Sequence, residues 1–250
     1  MKHEEIQRKY PNHIFTSYKG IGGSKKLVGD VIAIVFFVND KCSAWTEDAK
    51  ATFTKNHISA MQVLMDSAKA HGVHLQIRRA YADVNSPFDC STKNYIKWSQ
   101  QIIRQYGKSS LLAYQKYYTA KYGCDEAPIL FAFNKPFRSF AISTNPLTHT
   151  YDELASVSCI DRQNSIIHEL LHPFGARDLY FPQELKTLVS QMQYDSIMAS
   201  VSSYHMDSLT AYLIGWTDEI DEKAVKILEQ MKHHTHESLS KAIAEEWARK

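Results

Sequence analysis

The chain is expected to fold as α/β (α+β), with a mostly parallel sheet, an antiparallel edge strand and a helical C-terminal part. Three observations predict this. The run VIAIVFFV at 31–38 is continuously β-branched and aromatic, as in a strand buried on both faces. A long helical pattern follows it, and then VHLQIRR at 73–79 alternates apolar and polar residues, which together make a βαβ unit. Further on, ILFAFN at 129–134 is a third strand, and a helical pattern carries two histidines four residues apart.

Residues 1–28 are polar and hold Gly20, Gly22 and Gly23, so an irregular arm is expected there. Thr46 before Glu47 and Asp48 is a helix start, because the acids sit where the helix dipole favours them. Phe53, Ala60, Met61, Leu64 and Ala68 then recur at helical spacing, and Gly72 closes the run. Residues 81–90 read as a loop, followed by helices near 92–106 and 109–122, each ended by a glycine, Gly107 or Gly123. Asn134-Lys135-Pro136 is expected to turn the third strand into a hairpin partner, Arg138 to Ser143, at the sheet edge. A polar loop is read at 144–160, with Asp152 and Glu153 facing solvent.

The helix containing SIIHELLHPF buries Ile166, Ile167, Leu170 and Leu171. Beyond it a short helix opens at Pro182, another follows Asp207 at about 208–214, and two polar helices lie near 219–232 and 235–249. No linker or repeat divides the chain. One domain over 1–250 is expected, with an arm at 1–28, a sheet-containing upper part at 29–174 and a helical lower part at 175–250.

Bulk properties exclude some functions. A formal net charge of +2, without an Arg/Lys stripe, gives no support to a nucleic-acid partner. The longest apolar run, Val31 to Val38, is too short for a membrane span. MKHEEIQRKYPNH has no apolar signal core, so a cytoplasmic location is expected from the chain as it stands, or a secreted one if a leader once preceded it. Cys42, Cys90, Cys124 and Cys159 form no C-x-x-C pair. They read as four thiols in a reducing compartment, or as two disulfides in any of three pairings in an oxidising one.

His168 and His172 stand one helical turn apart and point the same way, so both rings can reach one Zn²⁺ at ~2.0–2.1 Å. Glu169, one residue after the first histidine, lies beside such an ion rather than on it. That is where a general base for a metal-activated water belongs. A catalytic zinc needs a third protein ligand and an open position. Gly175 lets the chain turn sharply after Phe174, which brings Asp178 back towards the metal. The three ligands expected for a single zinc ion are therefore His168, His172 and Asp178.

HELLHPFGARD at 168–178 resembles the extended zinc motif of the metzincin metallopeptidases, H-E-x-x-H-x-x-G-x-x-H/D. Its Asp-ended form is similar to that of the snapalysin and immune inhibitor A groups. YDSIMAS is similar to the family's methionine turn, which would place Met198 under the metal, and DSLTAYLIGW at 207–216 resembles the helix after that turn. The resemblance implies a twisted sheet, a zinc endopeptidase acting on a protein or peptide, and substrate binding along Ser139 to Ser143 with a side-chain pocket formed by the wall after Met198. The specific match covers about 165–216, and the long insertion near 81–123 is unlike the family's secreted members. The family's oxyanion tyrosine comes two residues after the methionine, where this chain has Ser200, so Tyr204 is the candidate for that role, with His205 a weaker one. Tyr180 is read as packing the ligand loop, and the His233, His234 and His236 cluster as a solvated helix end. Two other functions fit the same motif: a non-catalytic zinc-containing binding or sensor protein, and a proteolytic effector with one narrow target.

Overall fold

The computed structural model describes residues 1–89, 94–148, 153–200 and 202–248. In chain order the elements are α1 (His3–Lys9), β1 (Gly29–Asn39), α2 (Glu47–Ala70), β2 (Leu75–Asn85), α3 (Tyr95–Arg104), α4 (Leu111–Tyr122) and β3 (Ile129–Phe133). They continue with β4 (Phe140–Ile142), β5 (Leu154–Ser158), α5 (Gln163–Leu171), α6 (Gln183–Gln191), α7 (Ser208–Leu213), α8 (Glu222–Met231) and α9 (His236–Ala248). The five strands form one sheet in the order β2-β1-β3-β5-β4, parallel throughout except for β4, which is antiparallel at the edge.

β1 is buried on both faces, as its apolar run requires. Val31, Ala33, Val35 and Phe37 pack into one core with α2, α5 and the C-terminal helices. Ile32, Ile34, Phe36 and Val38 pack into a second core, with Trp98, Ile102 and Ile103 of α3 and Leu111 and Tyr114 of α4. α3 and α4 thus cover the sheet face opposite α5, with Trp98 edge-on to Phe131 at 5.0 Å. Thr46 caps α2 by accepting from the Ala49 amide, at the start read from the sequence.

Four expectations are corrected. β2 runs on to Asn85, through residues read as loop, because its pairing with β1 continues to Asn39↔Asn85. Residues 154–158 are not loop but β5, whose two serines look polar in sequence yet are buried, the strand lying between β3 and β4. β3 and β4 are therefore not a hairpin: β4 keeps its edge position but pairs with β5, Ala141 opposite Ala155. Residues 1–28 are not an irregular arm. α1 buries Ile6, and Tyr10, Ile14 and Phe15 join the core containing α8.

Glu153 is also corrected, because it is 1% exposed rather than solvated. It accepts hydrogen bonds from the Gly23 and Ser24 amides and the Thr144 hydroxyl, at 3.1, 2.8 and 2.6 Å. Gly22 permits this approach, since a Cβ there would lie 1.6 Å from a Glu153 oxygen. Asp152 and Cys90 lie outside the described residues. Cys42, Cys124 and Cys159 are free thiols. No helix among the described residues is long and apolar enough to cross a membrane.

Glu126 holds the same stretch from the other side, accepting from the Lys25 and Lys26 amides at 2.9 and 3.3 Å. Burial, reinforced by the charge of Glu153, outweighs these bonds and pushes its carboxyl up to about 7. Between the ordinary carboxylate range and about pH 7 the folded protein then holds more protons here than the unfolded chain. The stability from the neutral form is present at low pH and lost as pH rises through about 7. Glu126→Gln is expected to stabilise the protein by about 2 kcal/mol at pH 8 and far less at pH 5. Urea unfolding at the two pH values checks this, and equal effects at both would contradict it.

Candidate metal centre

α5 delivers His168 and His172 from one face, and both side chains are buried, at 3% and 8% exposure. A turn of 3-10 helix at His172–Phe174 continues α5 and ends at Gly175, whose φ of 99° is the left-handed value that suits glycine. The turn is closed by Gly175 N–H to His172 O at 2.9 Å and Ala176 N–H to Leu171 O at 3.3 Å. A Cβ on Gly175 would lie 2.6 Å from the Tyr18 carbonyl, so the N-terminal segment packs where only glycine fits. The chain reverses there and brings Asp178 over the helix.

Each imidazole has its Nδ1 against a backbone carbonyl: His168 against Ile197 O and His172 against Ala176 O, both at 2.9 Å. A carbonyl can only accept, so both Nδ1 atoms carry the hydrogen and each neutral ring presents a bare Nε2. Those two nitrogens face one oxygen of Asp178, at 3.0 and 3.3 Å. Lone pairs from three atoms so close repel unless a cation lies among them. Without a metal, a proton takes that place. Burial opposes a charged ring, but Asp178 and Glu169 outweigh it and hold His168 up to about 9, while His172 and His168 hold the Asp178 carboxyl well below its usual range.

This donor set fits zinc. Two donors each ~2.0–2.1 Å from a tetrahedral ion are roughly 3.3 Å apart, close to the observed separations. Glu169 also lies near, since its carboxylate and the two histidines have ligating atoms within 4.8 Å of one another, a grouping found nowhere else among the described residues. Asp178 is nonetheless the better third ligand, because it touches both Nε2 atoms. Burial pushes the Glu169 carboxyl up to about 6, against the pull of the two histidines.

Met198 is fully buried in a tight turn in which the Ala199 and Ser200 amides donate to Ser196 O at 3.0 and 3.1 Å. The turn is fastened to both halves of the site. Ile197 O accepts from His168, and Met198 O accepts from the Leu179 amide at 2.8 Å, next to Asp178. Behind it, buried Asp207 accepts from Ser196 Oγ at 2.5 Å and Tyr194 OH at 2.7 Å while capping α7 through the Leu209 and Thr210 amides.

A cleft of about 420 Å³ opens beside these residues, lined by Phe140, Ala141 and Ile142 of β4 together with Glu169, His172, Asp178 and Tyr180. Ser143 Oγ donates to His172 O at 2.7 Å and fastens the end of β4 to the end of α5. Ser139 Oγ donates to half-buried Asp161, which also accepts from the Ser158 amide at 2.8 Å and so sets the other end.

The structure brings together His168, Glu169, His172, Gly175 and Asp178, with the Met198 turn bonded to them. It does not bring Tyr204 there: that side chain is 44% exposed and is not among the residues lining the cleft. His205 contributes its carbonyl to the Ile197 amide. The phenol at the cleft is that of Tyr180, whose ring stacks on His168 at 6.1 Å and whose hydroxyl meets Arg138 at 3.5 Å. The C-terminal histidines are not all solvated, since His234 pairs with Glu184 at 3.0 Å and His236 meets Ser17 Oγ at 3.1 Å. The roles of Ile197 and Ala176 left no trace in the sequence, because both act through the main chain. Asp207 was visible only as a helix cap.

No family model matches the chain, and no curated protein is similar to it. Among solved structures, metalloproteinase-II from Bacteroides fragilis is similar at a TM-score of 0.40 and 13% identity, over 90% of this chain and 60% of that one. This chain therefore spans less than two thirds of that neighbour's length, and the chemistry of the site rests on its own atoms.

Gly175→Ala should destabilise the protein by about 2–3 kcal/mol, from the left-handed backbone and the contact with Tyr18. Denaturant titration gives the value, and a variant as stable as the parent would show that the turn is not built this way.

Proposed function

We propose that the chain is a zinc-dependent endopeptidase of metzincin type, a single catalytic domain acting on protein or peptide substrates. The observation that carries this reading is the convergence of His168 Nε2, His172 Nε2 and Asp178 on one point, with both Nδ1 atoms already committed to carbonyls. The Asp-ended motif HELLHPFGARD supports the same assignment. His168, His172 and Asp178 would hold the ion and leave one position open to the cleft. A zinc ion so held supplies the Lewis acidity that amide hydrolysis needs.

Glu169 follows a ligand in sequence and lines the cleft. Its carboxylate takes a proton from the attacking water and returns it to the departing amine. β4 pairs with β5 on one side only, so its outer edge can accept an extended substrate as an added strand. An adjoining hollow lined by Leu179, Tyr180, Val189, Ala199 and Ser200 follows the wall after Met198 and supplies a side-chain pocket.

Glu169→Gln keeps the three ligands and removes the base. The variant is expected to retain zinc, measured by metal analysis, and to lose peptide hydrolysis by at least about 10²-fold. Undiminished hydrolysis would overturn the role of Glu169, and absence of hydrolysis in the zinc-loaded parent would overturn the proposed activity.

A further inference from the structure

Arg138, Arg177 and Lys186 line the cleft together with Glu169 and Asp178. None of the three cations takes part in an ion pair among the described residues. Among the described residues, Arg138 makes only the long 3.5 Å contact with the Tyr180 hydroxyl. Arg177 lies over the Tyr18 ring at 4.1 Å, and its Nε is buried with no acceptor among the described residues. The Lys186 side chain is exposed. By contrast, half-buried Lys135 bridges Asp40 and Asp89 at 2.6 and 3.1 Å.

Charge counting sharpens the contrast. A dication held by two neutral imidazoles and Asp178, beside the Glu169 carboxylate, is a locally neutral group. The three cations then remain uncompensated, although the whole chain carries only +2. Arg138 stands two residues before β4, at one end of the open edge, and reaches the tyrosine stacked on His168. Lys186, in α6, lines the same cleft. A peptide laid along β4 therefore lies in a cleft that both cations border. Lys186 also borders the adjoining pocket, where Asp195, held by Ser203 Oγ at 2.6 Å, brings an opposite charge.

From these placements, and resting on the peptidase reading above, we infer that the preferred substrates are acidic peptides. Glutamate or aspartate side chains flank the scissile bond and are received by Arg138 and Lys186, with Arg177 adding to the field. Charge pairing at the open rim of a cleft governs capture and partner choice more than chemistry, and salt weakens it.

The test uses the full chain and two C-terminally amidated peptides that differ only in Glu against Gln around the cleaved bond. Two readouts are taken: kcat/KM with the zinc-loaded protein, and fluorescence anisotropy of the labelled peptides on Glu169→Gln. The expected result is a Glu-over-Gln ratio of roughly ten or more in both, falling severalfold at high salt and in Arg138→Gln/Lys186→Gln. Equal handling of the two peptides, or a ratio unchanged in the double variant, would overturn the inference. So would a preference that appears only when the terminal carboxylate is left free, because the cations would then be reading a chain end. If no peptide is cut but the anisotropy ratio stands, the peptidase reading fails while the acidic preference survives.

Discussion

Two imidazole nitrogens and one carboxylate oxygen meet in a buried corner at 3.0 and 3.3 Å, and the surrounding backbone leaves the rings no freedom to turn away. Ile197 O and Ala176 O each hold an Nδ1–H, which fixes the bare nitrogens inward. Such an arrangement is unfavourable unless a positive charge sits within it. Much of the nearby structure supports this convergence: Gly175 makes the reversal, Tyr18 packs against it, and the Met198 turn joins His168 to the strand of chain carrying Asp178. Asp207 stiffens that turn from behind through Ser196 and Tyr194.

The sheet places a strand edge where such a centre could use it. β5 lies between β3 and β4, so the antiparallel strand is displaced to the outside and its free edge borders the cleft. Backbone pairing holds β5 there, with Leu130 opposite Ala155 on one side and Ala141 opposite Ala155 on the other. Ser143 and Asp161 then set the two ends of β4 relative to α5. On the opposite face, α3 and α4 fill the second core as a packing layer.

Legibility in the sequence followed physical strength. The β1 run, the capped start of α2 and the apolar face of α5 each repeat one signal over many residues, and all appear as read. So do the helix starts after Pro182 and Asp207. β5 was hidden because its burial comes from neighbours on both sides, not from its own hydrophobicity. Glu153 was misread for a related reason: a carboxylate is expected in water unless amides wait for it, and those of Gly23 and Ser24 lie 130 and 129 residues away along the chain. At the site, the side chains named from spacing were brought together. The main-chain carbonyls that orient them carry no residue signature, and Tyr180 acquires its place only through the reversal at Gly175.

The central claim is that His168, His172 and Asp178 share one metal ion. Anomalous diffraction at the zinc edge, from crystals of the zinc-loaded protein, addresses it most directly. One strong peak is expected within bonding distance of His168 Nε2, His172 Nε2 and an Asp178 oxygen, with Glu169 outside that distance. A zinc-loaded crystal with no peak there, or with its peak on other side chains such as the C-terminal histidines, would contradict it.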